Sequence, residues 1–298
     1  MVGGGAIGGV LAQAVVRAGH DVTLCVRSPI RSLSVTRDGQ AEQVPVRIAA
    51  DPGSVAGPVR WVLLATKGQQ TPGAAPWLRR LAGPDTVVLV VQNGVEHAER
   101  LAPLRLPGTI LPALTYIAAR RDGPGQIVHV AGDRVVVPDS AAGTAFAALL
   151  AAAPVTVNPA PDFRTAAWRK LLTNVAANPV TALTGRPMEV LAAPGMPSLV
   201  RGLLAEAVAA GAADGARLSE EDVTATLDFY AGFDPDAGTS MLADRLAGRL
   251  TEHDEISGAV VRAAERHGLD VPLNRAVLAL LAAASLVAGP AASSVPGP

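Results

Sequence analysis

Apolar positions follow two rhythms along this chain, and the rhythm changes near residue 160. Before that point, short runs of Val, Leu and Ile alternate with stretches of helical spacing; after it the helical period alone remains. Residues 6–17 predict a helix, closed by Gly19, and HDVTLCV at 20–26 a strand. WVLLA at 61–65 and TVVLVV at 86–91 predict buried strands. Shorter runs at 114–120, 126–130 and 134–137 predict an antiparallel edge to the sheet. A helix at 144–152 and a strand at 155–158 complete this half, with Pro159 and Pro161 at the joint. Helices are then predicted at 163–178, 188–190, 198–215, 220–229, 239–246, 252–267 and 275–287.

Residues 3–9 read GGGAIGG, so Gly3, Gly5 and Gly8 satisfy G-x-G-x-x-G. Glycine lets the backbone approach a pyrophosphate there, and the start of the next helix supplies free N–H groups and positive potential. The pattern is common by itself, but the helix and strand that follow have the required lengths. An α/β fold is therefore expected. An N-terminal Rossmann dinucleotide-binding domain spans 1–160, and an all-helical C-terminal domain spans 161–298, with 289–298 reading as a disordered Gly/Pro/Ser tail. Only Met1 and Val2 precede Gly3, so the first strand is nearly missing: either the start lies upstream or the sheet centre is unusually short.

The end of the second strand bears on the cofactor. NAD-binding units place an acidic residue there for the ribose hydroxyls, whereas this chain offers Arg27 and Ser28, with Arg31 one turn on. That favours the 2′-phosphate of NADP over an arginine merely exposed at a strand end. Lys67 and Asn93 follow the next two strands, on the side where open α/β sheets hold ligands, though Asn93–Gly94 is also ordinary turn chemistry.

In the helical half, WRKLLTNVAANPVTAL at 168–183 places Lys170, Asn174 and Asn178 at every fourth position. That spacing turns each side chain only about 40° around a helix, so the row faces one place. Pro179 should end or kink the helix and leave Asn178 near a terminus. A solvated lysine with asparagine spacers has the same pattern, and the spacing leaves both readings open, although asparagine is a poor helix former. Ser240, Thr251, Glu252, Asp254 and Glu255 form a second polar group, which by itself reads most simply as a solvated helix face.

Composition narrows the partners. With 25 Lys+Arg against 26 Asp+Glu, the net charge of −1 points to a small ligand and away from nucleic acid or an anionic membrane. Although 49% of residues are hydrophobic, no run clearly reaches the roughly 20 that a membrane helix needs, and 276–288 reads as a buried last helix. The one cysteine, Cys25, cannot close an internal disulfide, and without a signal peptide the chain is expected in the cytoplasm. His20, His97, His129, His253 and His267 show no metal-ligand spacing, so they are expected to be structural or surface residues and no metal is expected.

In order and spacing, GGGAIG at 3–8, CVR ending at Arg27, TKGQQ at 66–70, QNGV at 92–95, the 168–183 stretch, SML from Ser240 and TEHDEISG from Thr251 resemble the ketopantoate (2-dehydropantoate) reductase family. The likeness runs from the first residues to about Asn274; the long central stretch and the SML/TE pair are its specific parts. It implies an NADPH-binding Rossmann domain, a helical second domain and a substrate cleft between them. The implied reaction reduces the 2-keto group of ketopantoate to give pantoate, a step towards pantothenate and coenzyme A. By the resemblance Lys170 is the general acid and Glu252 a second polar group of the catalytic site, with Asn93, Asn174, Asn178 and Ser240 binding substrate. The same resemblance assigns NADPH/NADP+ binding to Gly3, Gly5, Ala6, Ile7, Gly8, Arg27, Lys67, Gln70, Asn93 and Glu252. One departure is Ser257, where the family commonly has asparagine. The expected partner is a small 2-keto acid, with no nucleic acid and no membrane, and the likeness leaves room for a homodimer.

The chemistry of the residues agrees. Hydride delivery to a ketone builds negative charge on its oxygen, which a protonated lysine can first polarise and then protonate. Free lysine has a pKa of about 10.4, and desolvation would bring it nearer to working pH. A related 2-oxo or imino compound of secondary metabolism is the alternative substrate. A protein that senses or scaffolds NADPH without turnover is the alternative of another class.

Overall fold

The computed structural model describes residues 1–286, and the chain forms two compact units, Met1–Phe163 and Arg164–Pro298. The first contains α1 (Ala6–Arg17), β1 (Thr23–Cys25), β2 (Leu33–Arg37), β3 (Gln40–Val44), β4 (Arg47–Ala49), β5 (Trp61–Leu64), α2 (Thr71–Leu81) and β6 (Val87–Val90). It continues through α3 (His97–Leu101), β7 (Thr109–Pro112), β8 (Leu114–Gly123), β9 (Gln126–Pro138), α4 (Ala141–Leu149) and β10 (Thr156–Ala160). The fold is α/β with a helical second part, as the sequence predicts.

β1 pairs with β4, and β5, β6 and β7 pair in sequence, all in parallel. Val2 joins the two groups by parallel bridges to Cys25 and Leu64. The first strand is therefore short but bonded on both sides: Cys25 N–H reaches the Met1 carbonyl and Val2 N–H the Leu63 carbonyl, both at 2.8 Å. Alternate residues of the strands enter two cores. Leu24, Leu63 and Leu89 pack with α1, while Cys25, Val62, Leu64, Val88 and Val90 pack with Trp77 and Leu78 of α2. Burial on both faces explains the unbroken apolar runs.

The antiparallel edge expected over 114–137 belongs instead to a second sheet, ordered β10-β9-β2-β3 with β8 against β9. β9 is 13 residues long, enough to pair with β8 on one side and with β2 and β10 at different heights on the other. The β2–β3 hairpin had no counterpart in the sequence reading. It turns at Asp38 and Gly39, whose φ values of 51° and 75° are those of the two-residue turn that Asp-Gly favours. Pro159 and Ala160 pair with Val137 and Pro138 inside β10, which ends just before Pro161, and the two units divide a little further on, at Phe163 and Arg164.

The second unit is helical: α5 (Phe163–Val175), α6 (Ala177–Thr184), α7 (Met196–Ala213), α8 (Glu220–Ala231), α9 (Ser240–Leu246), α10 (Ala259–Arg266) and α11 (Pro272–Leu286). The helix expected over 163–178 breaks at Ala176, and Pro179 lies inside the next helix rather than beyond the first. Proline has no N–H to give the Val175 carbonyl and its ring crowds that carbonyl, so the ladder stops a turn early and restarts with proline in the first turn of α6. The helix expected over 252–267 opens with a π turn, Asp254–Gly258. Residue 287 and the expected tail at 289–298 lie outside the described residues. Among the described residues, no helix is long and apolar enough to cross a membrane.

Candidate active site

β1 ends at Cys25, β5 at Leu64 and β6 at Val90, and the chain runs on from these ends to Arg27, Lys67 and Asn93. Because the strands are parallel, all three residues leave the sheet at the edge where α1 begins. Gly3 has φ of 108°, and a Cβ there would stand 2.8 Å from the Ala65 carbonyl carbon. A Cβ on Gly8 would meet the Gly3 carbonyl oxygen, whereas one on Gly5 would meet nothing within 4 Å. Gly3 and Gly8 thus serve the tight turn, and Gly5 opens onto free space.

Gly5 is the N-cap of α1 and supplies no side-chain cap, and the first turn has no acidic residue. The first helical bond runs from Gly9 N–H to the Gly5 carbonyl at 2.9 Å, so the N–H groups of Ala6, Ile7 and Gly8 precede the ladder. An open glycine face beside these donors and the positive helix end fits a dinucleotide pyrophosphate. Arg27 and Arg31 are exposed, and the segment 26–32 (VRSPIRS) contains no carboxylate.

Lys67 and Gln70 lie in one short turn: Lys67 N–H donates to Gln70 Oε1 at 3.4 Å and Gln70 N–H to the Lys67 carbonyl at 2.9 Å. That turn is tied to the Asn93 loop by buried Gln92, whose Nε2 donates to Thr71 Oγ1 at 3.0 Å and to Thr66 Oγ1 at 3.1 Å and has the Lys67 carbonyl within reach at 3.3 Å. Arg100 Nη1 donates to Gln92 Oε1 at 2.9 Å and Nη2 to the Asn93 carbonyl at 3.2 Å. His97 Nε2 donates to the Gln92 carbonyl at 2.8 Å; burial holds its imidazole down at about 4 and therefore neutral. Gln92 lies inside QNGV, where sequence gives it no role, and no spacing points to Arg100; His97, expected to be structural or on the surface, is structural and buried.

In the second unit, Lys170 and Asn174 lie one turn apart on α5, both half-buried, and Asn178 is buried in the first turn of α6. The polar row therefore spans two helices instead of one. Lys170 Nζ donates to Thr173 Oγ1 at 3.4 Å, and desolvation holds its ammonium below the ordinary lysine value. Ser240 is the exposed first residue of α9; the cap is Thr239, whose Oγ1 accepts from Leu242 N–H at 3.1 Å. Glu252 lies just ahead of the π turn and is 7% exposed, and Glu255 is 5% exposed. The solvated-face reading of this acidic run thus fails for both and holds for Asp254, exposed and paired with Arg262 at 2.7 Å. Among the described residues no cluster of His, Cys, Asp or Glu could hold a metal.

Residues 1–142 match the family model described as Ketopantoate reductase PanE/ApbA, and residues 162–285 match its C-terminal counterpart. The chain is 39% identical over 288 residues to a 2-dehydropantoate 2-reductase of Caulobacter vibrioides, covering 96% of this chain and 98% of the relative. It is also 39% identical over 286 residues to that of Mycobacterium tuberculosis, covering 96% and 97%. A solved dimeric ketopantoate reductase from Staphylococcus aureus superposes with a TM-score of 0.88 at 25% identity, covering 97% of this chain and 98% of that one. A dinucleotide-binding type of α/β unit joined to a helical unit defines the class of protein. Within that class the chain belongs to the ketopantoate reductase family, which is a family of oxidoreductases.

Proposed function

We propose that this chain reduces the 2-keto group of 2-dehydropantoate with NADPH, using Lys170 as the proton donor. The observation that carries the reading is the half-buried Lys170 amine, lowered in pKa by desolvation, in a row with Asn174 in a chain 39% identical to named 2-dehydropantoate 2-reductases. Reduced nicotinamide, when bound, supplies the hydride. Lys170 in its ammonium form polarises the ketone and gives its proton to the oxygen on which negative charge builds. Its lowered pKa makes that transfer easier than from an ordinary lysine.

Asn174, Asn178 and Ser240 supply amide and hydroxyl groups suited to the carboxylate and hydroxyl of a hydroxylated keto acid. Asn93 offers an amide from the first unit, beside the dinucleotide loop. Glu252, buried, is assigned a part in both substrate chemistry and cofactor binding. Gly3, Gly5, Ala6, Ile7 and Gly8 receive the pyrophosphate, Arg27 the 2′-phosphate, and Lys67 and Gln70 the nucleotide beyond the strand ends.

The direct test is loss of reduced-nicotinamide absorbance on a panel of 2-keto acids with each cofactor. The reading expects ketopantoate with NADPH to give the highest kcat/KM. A panel in which another keto acid is preferred by about tenfold or more would reassign the substrate. No turnover of any 2-keto acid would end the reading.

A further inference from the structure

The helix breaks between Val175 and Ala177, in the middle of the polar row, and a buried tyrosine spans the gap. Tyr230, on α8 and 8% exposed, donates its hydroxyl proton to the Leu172 carbonyl at 2.9 Å and accepts from Ala177 N–H at 3.4 Å. Its hydroxyl thus touches the last turn of α5 and the first residue of α6. Thr181 is fully buried and donates to the Ala177 carbonyl at 2.8 Å, while its oxygen lies 2.7 Å from Thr239 Oγ1. Thr239 caps α9 by accepting from Leu242 N–H.

One proton per hydroxyl satisfies this series. Leu242 N–H goes to Thr239, Thr239 to Thr181, and Thr181 to the Ala177 carbonyl; Ala177 N–H goes to Tyr230, and Tyr230 to the Leu172 carbonyl. The series runs from the helix of Lys170 and Asn174, through the first turn of the helix of Asn178, to the helix that starts at Ser240. A phenylalanine would occupy nearly the same space as Tyr230, so the hydroxyl adds only the bonds across the break.

We propose that Tyr230 and Thr181 are positioning residues, whose hydroxyls fix Asn178 relative to Lys170 and Asn174 and so set the grip on the keto acid. The inference rests on the proposed reading that this row receives the substrate. A lone stabilising role predicts a lower melting temperature and unchanged kinetics. A positioning role predicts a kinetic loss that depends on Asn178 being present.

The test is a double-mutant cycle on the full chain, Tyr230→Phe with Asn178→Ala, assayed well below the melting temperature with ketopantoate and NADPH. Tyr230→Phe alone should lower kcat/KM for the keto acid by about tenfold, since small misplacements are costly in catalysis. In the Asn178→Ala background the further loss should shrink below about threefold, as residues acting through one another are not additive. The NADPH Kd should stay within about twofold, because neither Leu172 nor Ala177, the two groups the Tyr230 hydroxyl bonds, is among the residues proposed to hold the dinucleotide. Wild-type kinetics with a lowered melting temperature, or an equal loss in both backgrounds, would overturn the inference. If Tyr230→Phe does not fold, Thr181→Val takes its place in the same cycle with the same expected and contrary results. Lys170→Met separates the two levels. Wild-type turnover by that variant removes the reading of the row and the inference with it, whereas an inactive Lys170→Met beside a wild-type-like Tyr230→Phe removes the positioning role alone.

Discussion

A Cβ on Gly8 would stand 2.1 Å from the carbonyl oxygen of Gly3, so the first turn of α1 and the loop before it are in contact at a point that admits only hydrogen. Gly5, between them, has an extended backbone with φ of −79° and no atom within 4 Å of where its Cβ would lie. Two glycines of one motif thus have different physical duties. Gly8→Ala should force the loop apart, lowering the melting temperature and NADPH binding together. Gly5→Ala should leave the melting temperature within a few degrees of wild type and raise the NADPH Kd by about tenfold or more, because the methyl occupies the space a pyrophosphate would take. Calorimetry with titration of the nucleotide checks both. A Gly5→Ala protein that binds NADPH as the wild type does would contradict the placement of the pyrophosphate.

Arg27 is exposed beyond β1 in a segment without carboxylates. Arg27→Asp should therefore weaken NADPH binding about tenfold or more, through loss of a charge-assisted partner and added repulsion, and affect NADH much less. Comparison of kcat/KM for the two cofactors in the wild type and the variant measures it. Equal use of both cofactors by the wild type would remove Arg27 from the phosphate.

The sheet half was legible because strands covered on both faces must be apolar throughout, as Trp61–Leu64 and Val87–Val90 are. The β2–β3 hairpin was missed although Asp38–Gly39 carries a strong local turn signal, because its flanks, LSVTR and QAEQV, are mostly polar. The polar row was visible in spacing, but its division between α5 and α6 depends on where Pro179 falls in the new helix, and a proline marks a break only to within a turn. Tyr230, Thr181 and Arg100 were not legible at all. The Tyr230 bond to Leu172 and the Thr181 contact with Thr239 each link residues 58 apart in sequence, and Arg100 reaches Gln92 across a loop whose path no spacing encodes.

His97 donates to the Gln92 carbonyl and is held near 4 against an ordinary 6.5, by burial first. The unfolded chain takes up a proton near 6.5 and the folded chain not until about 4, so stability is complete above 6.5 and falls as pH drops towards 4. The full difference is on the order of 3 kcal/mol. His97→Gln can keep a donor to the Gln92 carbonyl without titrating, and its melting temperature should fall less over that window. Identical pH slopes in both proteins would show that His97 is not a buried neutral group.

In the proposed role of proton donor Lys170 would work only when protonated, and desolvation lowers its pKa from 10.5. The wild-type kcat should therefore decline on the alkaline side at a pH below 10.5. A profile flat to that pH would remove lysine as the titrating acid.

The most direct measurement is single-turnover reduction of ketopantoate by Lys170→Met, with NADPH affinity and a melting curve taken on the same sample. Methionine keeps an unbranched apolar stem on α5 and removes the charge. The expected result is a folded protein with NADPH affinity within about twofold of wild type and a chemical step slower by about 10²- to 10⁴-fold. A folded, NADPH-binding Lys170→Met protein that reduces ketopantoate at the wild-type rate would contradict both the proton donor and the assignment of this helix face to the active site.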